Sequence, residues 1–264
     1  KELFILSKSK DYFKDNGISI IVSDYGTLNI LNDKGVLYNY LREKGIKTPD
    51  FFFINNSKEI TANINKLNYP EFPVVIKPRI SNGSRGVRII DSKVDKFNLL
   101  FEHKPTSLYT SLNEYLQIIR GKNIPPLILS EFLPGEEITV DTIISKGLLK
   151  LILIRTRDRM RSGISIKGRF IKNIKIEEYI KKIISSFIGL EGPIGFQLKM
   201  SNKNEFLLLE CNPRIQGTSV SAMGLGLNIP LIILDEITNQ IYKIKDKTHG
   251  VSFSRYYDQI YYET

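Results

Sequence analysis

Glu210 and Asn212 stand two residues apart in Glu210-Cys211-Asn212-Pro213-Arg214, at the end of an apolar run. In a β-strand alternate side chains share a face. Glu210 and Asn212 therefore point one way, and Leu209 and Cys211 point into a core. A second apolar run, Ile194 to Met200, precedes it across Ser201-Asn202-Lys203-Asn204. Pairing the two runs as a hairpin over that even-length turn sets Gln197 on the Glu210 face, with Phe196 and Leu198 opposite. Oxygen donors of this kind suit Mg²⁺, which also takes waters and nucleotide phosphates. Arg214 lies just beyond. A solvated polar face accounts for the same pattern equally well.

Lys77 ends the β-branched run Phe72-Pro73-Val74-Val75-Ile76-Lys77-Pro78 and precedes Ser81-Asn82-Gly83-Ser84-Arg85-Gly86. A lysine there reaches phosphate oxygens as a point charge. The glycines let backbone N–H groups approach a phosphate closely, although surface turns look the same. The order is strand, glycine loop, strand (Val87 to Ile90), so a Rossmann or P-loop assignment, which needs a helix after the loop, fits poorly. In Ser130-Glu131-Phe132-Leu133-Pro134-Gly135, backbone groups after a buried strand can read an adenine edge while Phe132 and Leu133 pack the ring. An ordinary strand end is the alternative. Glu137, Thr139 and Asp141 alternate onto one face of the next strand, where an acid can hold ribose hydroxyls or simply face solvent. Arg155, Arg157, Arg159 and Arg161 share a face if the chain is extended. Four like charges there repel unless an anion joins them, unless they pair with Glu and Asp instead.

The elements that must position these residues follow from periodicity. Leu3, Phe4, Leu6, Tyr12 and Phe13 give one helical face between Glu2 and Asn16, closed by Asn16-Gly17. Ile18 to Ser23 reads as a buried strand. Asn32 and Asp33 cap a helix from Lys34 to Glu43, with Val36, Leu37, Tyr40 and Leu41 on one side. Phe51 to Ile54 is extended, and Ser57 to Leu67 is helical. After Ile90 comes a helical region, clearest from Asn113 to Arg120, then a strand from Leu127 to Phe132. Glu137 to Ser145 and Leu148 to Arg157 form a hairpin over Lys146-Gly147. Asp158 to Arg169 reads as a polar, basic loop. Helices are expected near Ile176 to Ile188, within Gly217 to Gly226 and from Leu231 to Ile237. The fold class is α+β, with antiparallel hairpins under a smaller lid.

Composition bounds the partners. The chain has 264 residues, 42% hydrophobic and 25% charged, with a net charge of +10, which suits one large domain or two lobes. The positive balance favours anionic partners, although a solvated lysine-rich surface produces it too. One cysteine and two histidines argue against disulfides, zinc clusters and histidine-based triads. There is no apolar run of membrane-spanning length, no secretory signal and no nucleic-acid-binding motif. A cytoplasmic address follows from these absences. The chain opens at Lys1 without a methionine, inside a helix, which suggests that an upstream strand is missing.

Taken in order, Asn32-Asp33-Lys34, Val74-Val75-Ile76-Lys77-Pro78 with its glycine loop, Ser130-Glu131-Phe132-Leu133, Glu137 in Gly135-Glu136-Glu137-Ile138-Thr139-Val140-Asp141, Gln197, and Glu210-Cys211-Asn212-Pro213-Arg214 resemble the ATP-grasp superfamily. The pattern looks most like the ATP-grasp domains of the carbamoyl-phosphate synthase large subunit and of biotin carboxylase. The resemblance spans about Ile30 to Leu234. It implies an ATP-grasp fold: two α/β lobes with antiparallel sheets clasping ATP, the lid lobe covering about 62–129 of an ATP-grasp domain at 31–264. Residues 1–30 would be the last part of a preceding Rossmann-like domain.

It also implies roles by position. Lys34 and Lys77 contact ATP phosphates under a flexible loop of Ser81, Asn82, Gly83, Ser84 and Gly86. Glu131, Phe132 and Leu133 line the adenine site, and Glu137 holds the ribose. Gln197, Glu210 and Asn212 bind or orient Mg²⁺ (or Mn²⁺). Arg214 stabilises the transferring phosphoryl group, and Arg159 and Arg161 position a carboxylate. The implied activity is a Mg-ATP-dependent ligase that makes an acyl phosphate for attack by an amine or other nucleophile. A nucleotide sensor without catalysis and a fragment of a carbamoyl-phosphate-synthase-like subunit are the alternatives. Where the synthase pattern has a histidine before Gly163 and an acid after it, this chain has Arg161 and Ile164, which argues against bicarbonate as substrate. The expected partners are a small-molecule carboxylate and a nucleophile, with no nucleic acid and no membrane. A homodimer is an open option.

Overall fold

A computed structural model describes residues 2–81, 83–103, 107–161, 163–238 and 247–263. Asn82 of the glycine loop and Ser162 beside Gly163 lie outside the described residues. The chain divides into two compact units. One is Lys1–Leu31, Glu136–Lys199 and Leu208–Thr264; the other is Asn32–Gly135 with Met200–Leu207.

The expected first helix is two, α1 (Glu2–Lys8) and α2 (Lys10–Asp15). Gly17 ends α2 in the left-handed conformation (φ 72°), which glycine adopts without steric cost. The strand expected at Ile18 to Ser23 does not form. The Ser23 hydroxyl both donates to the Glu191 carbonyl and accepts from the Glu191 N–H, each at 2.9 Å. Ser7 Oγ donates to the Ser23 carbonyl. Side-chain hydrogen bonds thus satisfy backbone groups that a ladder would otherwise pair. α3 (Tyr25–Asn32) follows, a helix the apolar pattern did not announce.

In the unit from Asn32, α4 (Lys34–Glu43) has the expected bounds and buries Leu37, Tyr38 and Leu41. Then come β1 (Phe51–Ile54), α5 (Ser57–Asn63) with a 3₁₀ turn over Ile64–Leu67, β2 (Val74–Pro78), β3 (Arg88–Ile90), α6 (Lys96–Phe101), β4 (Tyr109–Thr110), α7 (Leu112–Ile119) and β5 (Leu127–Glu131). The five strands form a sheet in the order β1-β5-β2-β3-β4, antiparallel except for β3 and β4. β5 is buried on both faces. Leu127 and Leu129 join Ile54, Val74 and Ile76 in one core under α7, while Ile128 packs against Tyr38 and Phe51 on the other. A capping box between Ser111 and Glu114 opens α7.

The remaining elements are β6 (Glu137–Ser145), β7 (Leu148–Thr156), β8 (Arg159–Arg161), β9 (Ile164–Ile171), α8 (Ile174–Ser185), β10 (Gly192–Met200), β11 (Phe206–Asn212), a 3₁₀ turn over Ser219–Leu225, α9 (Ile229–Thr238) and β12 (Ser252–Ser254), all in the other unit but for Met200, Phe206 and Leu207. The sheet order is β11-β10-β6-β7-β9-β12, and β8 also pairs with β9. Within the basic loop expected at Asp158 to Arg169, Arg159–Arg161 is a strand and the part from Ile164 on belongs to another. β7 and β8 pair in succession with β9, Ile154 opposite Ile171 and Arg159 opposite Lys167. β12 takes β9's other edge, with Ser254 opposite Lys167. Phe170 and Phe253 bury against Ile143, Leu153 and Leu225. Gly168 lies where a Cβ would meet the Thr156 carbonyl at 2.3 Å and the Phe253 ring at 2.9 Å, so glycine is what lets the strands close there. α8 lays down Ile176, Ile180, Ile183 and Ile184 at helical spacing, as its apolar periodicity predicts.

Candidate functional site

In the unit from Asn32 the site is built on the start of α4 and the end of β2. The Asp33 carboxylate caps α4, accepting from Gly35 N at 2.9 Å and Val36 N at 3.1 Å. It also binds Arg79, whose Nη2 lies 2.7 Å from Oδ2. This cap fixes the direction of Lys34, whose Nζ donates to the Ser81 carbonyl at 3.1 Å and whose N–H donates to the Arg79 carbonyl. One turn on, Tyr38 receives Lys77: Nζ lies 3.4 Å from the hydroxyl and 5.7 Å from the ring centre. Both lysines are 7% exposed. Lys34 thus meets the start of the glycine loop, and Lys77 packs against the same helix face. Asp33→Ala removes the cap and the Arg79 pair together, and is expected to cost about 2 kcal/mol, read by urea denaturation.

The loop joins β2 to β3 as expected. Gly83 (φ 61°), Ser84 (φ 57°) and Gly86 (φ 74°) are left-handed, and residues 83–86 are exposed. Left-handed residues of this kind make the tight turns at which backbone N–H groups can be offered to an anion. Glu131, expected to line an adenine site, has other work in the fold. Its carboxylate accepts the Asp50 N–H at 2.9 Å, and its own N–H donates to the Asp50 carbonyl. Phe132 is half-buried and Leu133 is 3% exposed.

In the other unit the register of β10, β6 and β7 gathers a polar face. Gln197 stands opposite Thr139, Lys199 opposite Glu137, and Arg155 opposite Thr139 on the far side. On β11, Asn212 Nδ2 donates to Glu210 Oε1 at 3.1 Å, so these two share a face. Cys211 turns inward; burial pushes its thiol pKa up, with the Glu210 charge adding to the effect. The thiol therefore stays protonated and is no nucleophile. Arg157 Nη1 lies 3.0 Å from Glu137 Oε1. Burial lowers the Arg157 pKa, the charges of Glu137 and Glu210 act to raise it, and Arg155 acts to lower it. Glu137, Glu210 and Arg157 are therefore one electrostatic cluster, with Asn212 and Gln197 on the same face.

The four arginines differ in burial and in partners. Arg155 is 1% exposed, its Nε 2.7 Å from Asp141 Oδ2. Arg157 pairs with Glu137 at the bend. Arg159 and Arg161 are exposed on β8. Burial divides the row, and the two inner cations are neutralised by the acids of β6. Asp141 holds more: its Oδ1 accepts from Gln216 Nε2 at 2.9 Å and from Ser219 Oγ at 2.7 Å. Gly195 lets Gln216 lie this close, since a Cβ there would fall 2.2 Å from the amide. The network anchors the segment that carries Arg214, an exposed residue whose backbone N–H closes a turn onto the Asn212 carbonyl at 2.8 Å.

Sequence reasoning did not find Tyr38, Arg79, Gln216 or Ser219. Tyr38 had a signal, lying four residues after Lys34 on the same helical face. Gln216 and Ser219 had none, since they reach Asp141 across 75 and 78 residues.

Comparison with known proteins bears on the same elements. The arginine-specific carbamoyl phosphate synthase large chain of Bacillus subtilis (strain 168) is 24% identical over 230 residues, covering 83% of this chain and 20% of its own. The D-alanine–D-alanine ligase of Buchnera aphidicola subsp. Schizaphis graminum is 28% identical over 219 residues, covering 78% and 62%. This chain thus spans less than two thirds of either relative. Carboxyaminoimidazole ribonucleotide synthase from Aspergillus clavatus, solved complexed with ATP, superposes with a TM-score of 0.69 at 15% identity, covering 93% of this chain and 61% of that one. A model of the family described as ATP-grasp in the biosynthetic pathway with Ter operon matches residues 123–257. With that match over just more than half its length, the chain belongs to this ATP-grasp family and has the ATP-grasp fold.

Proposed function

We propose that the protein binds Mg·ATP and uses it to activate a carboxylate as an acyl phosphate, which an amine then attacks. The observation that carries this reading is the face shared by Gln197, Glu137, Glu210 and Asn212 around Arg157. Gln197, Glu210 and Asn212 set hard oxygen donors there beside a buried cation that Glu137 holds. The donor set fits Mg²⁺ or Mn²⁺, which takes one or two protein carboxylates and completes its shell with phosphate and water. Asn212 gives its amide nitrogen to Glu210, so its oxygen would be the donor left to the ion. When bound, the ion neutralises charge on the phosphate oxygens during transfer.

The chain's own residues do the rest. Lys34 and Lys77 hold phosphate oxygens, and the loop at Ser81, Gly83, Ser84 and Gly86 offers them N–H groups. Asn82 belongs to the same proposal. Phe132 and Leu133 pack the adenine, with Glu131 fixing the strand end from which their backbone reads it. Glu137 gives its carboxylate to the ribose. Arg214 meets the transferred phosphoryl group, and Arg159 and Arg161 orient the carboxylate. An oxygen of that carboxylate attacks the γ-phosphorus, the bond to the bridging oxygen breaks, and ADP leaves. The amine nitrogen then adds to the acyl carbon, phosphate departs, and the amine loses its proton to solvent. Two observations support this class: the family match, and a relative named D-alanine–D-alanine ligase.

Hydroxylamine trapping tests it. With ATP, Mg²⁺ and a panel of carboxylic acids, at least one acid should give hydroxamate and ADP in equal amounts, and none without Mg²⁺. ATP binding without ADP release from any acid would favour a sensor without catalysis.

A further inference from the structure

β9 is flanked on both sides by short strands, and the flanks bring together a second constellation. β8 sets Arg161 opposite Ile164 on one edge. On the other edge the chain runs past β12, and the Arg255 N–H donates to the Ile166 carbonyl at 2.8 Å. Arg161, Ile164, Ile166, Arg255, Tyr256 and Tyr257 thereby enclose an open cavity of about 440 Å³. Ile164 and Ile166 share one face of β9 by alternation. The Tyr257 ring covers the Arg161 guanidinium, 5.2 Å from ring centre to Cζ. Arg255 Nη2 donates to the Gly217 carbonyl, which fixes the second guanidinium at the cavity wall. Among the described residues, no acid forms an ion pair with Arg161 or Arg255.

We propose that this cavity is the seat of the carboxylate substrate, and that it selects an acid with an aromatic or bulky apolar body. The inference rests on the ligase reading above and names its substrate class. A guanidinium held over a ring by its charge keeps N–H donors, and these bind a carboxylate in bidentate fashion. Two isoleucines and two tyrosines then offer apolar area to the remainder of the molecule, and aromatic rings provide it at low entropic cost. The volume lies in the range of small-molecule pockets. It accommodates a body of about amino-acid size or larger, more than bicarbonate needs. The C-terminal segment carrying Arg255 to Tyr257 is therefore a specificity wall, and exchanging its tyrosines changes which acid is taken.

The probe is 3-phenylpropionate, followed by saturation-transfer NMR on the whole chain, with 3-phenylpropionamide as its uncharged counterpart and propionate as the acid without the ring. The acid should bind, and the amide and propionate should each bind about tenfold more weakly or less. Arg161→Gln should weaken the acid about tenfold and leave the amide unchanged. Tyr257→Ala should weaken both the acid and the amide, while its affinity for a Mg·ATP analogue stays that of the wild type. Equal binding of acid and amide, indifference to either substitution, or no binding of the acid would overturn the proposal. The analogue titration reads the ligase proposal separately. Nucleotide binding without acid binding sinks only the substrate class; acid binding without nucleotide binding sinks the ligase reading.

Discussion

Asp141→Asn is expected to lower the unfolding free energy by about 3–5 kcal/mol, the usual cost of leaving a buried charge without its partner. Arg155 is 1% exposed and always charged. The carboxylate it faces also accepts from Gln216 and Ser219. An asparagine has one acceptor oxygen and an NH₂ group, so one of the three donors then meets another donor in a dry site. For a chain of this size the melting temperature should fall by roughly 10 °C. The double variant Asp141→Leu/Arg155→Met removes both charges and should recover much of that loss, because apolar replacement of a buried pair is often neutral. Thermal and urea unfolding of the three proteins checks this. An Asp141→Asn protein within about 1 kcal/mol of wild type would contradict the network's role.

Glu210→Gln should behave in the opposite way, with little change in stability and a large change in function. The side chain is half-buried at the end of β11 and its replacement has the same shape. The substitution removes one of the two acids beside Arg157 and the proposed metal-binding carboxylate. Loss of metal-assisted charge stabilisation should lower Mg-dependent turnover on the order of 100- to 1000-fold. Glu205→Gln, at a carboxylate that pairs with Lys47 on an exposed edge, should leave turnover unchanged. Wild-type turnover in the Glu210 variant would remove the metal assignment.

What was legible in the sequence was what local chemistry decides. Asp33 announces α4, and the observed helix has the expected bounds because cap and apolar stripe agree. The run Val74–Pro78, the glycine loop and β3 follow from β-branched residues and punctuation. Glu210 and Asn212 share a face because strand alternation requires it. What was hidden depends on partners far away in the chain. Asp158 to Arg169 looks like a polar loop because β9 is completed by β12, some 85 residues on. Ile18 to Ser23 has strand composition, yet a single serine satisfies the backbone of Glu191 in place of a ladder. The even spacing of the four arginines carried no sign of burial, so the division between neutralised Arg155 and Arg157 and exposed Arg159 and Arg161 was invisible.

The most direct test of the central claim is calorimetric titration of a non-hydrolysable ATP analogue into the protein, with Mg²⁺ and then with a chelator. Saturable binding that requires Mg²⁺ is the predicted result, and Glu210→Gln should abolish the metal dependence. Binding of equal strength with and without Mg²⁺, or none to folded protein, would contradict the account.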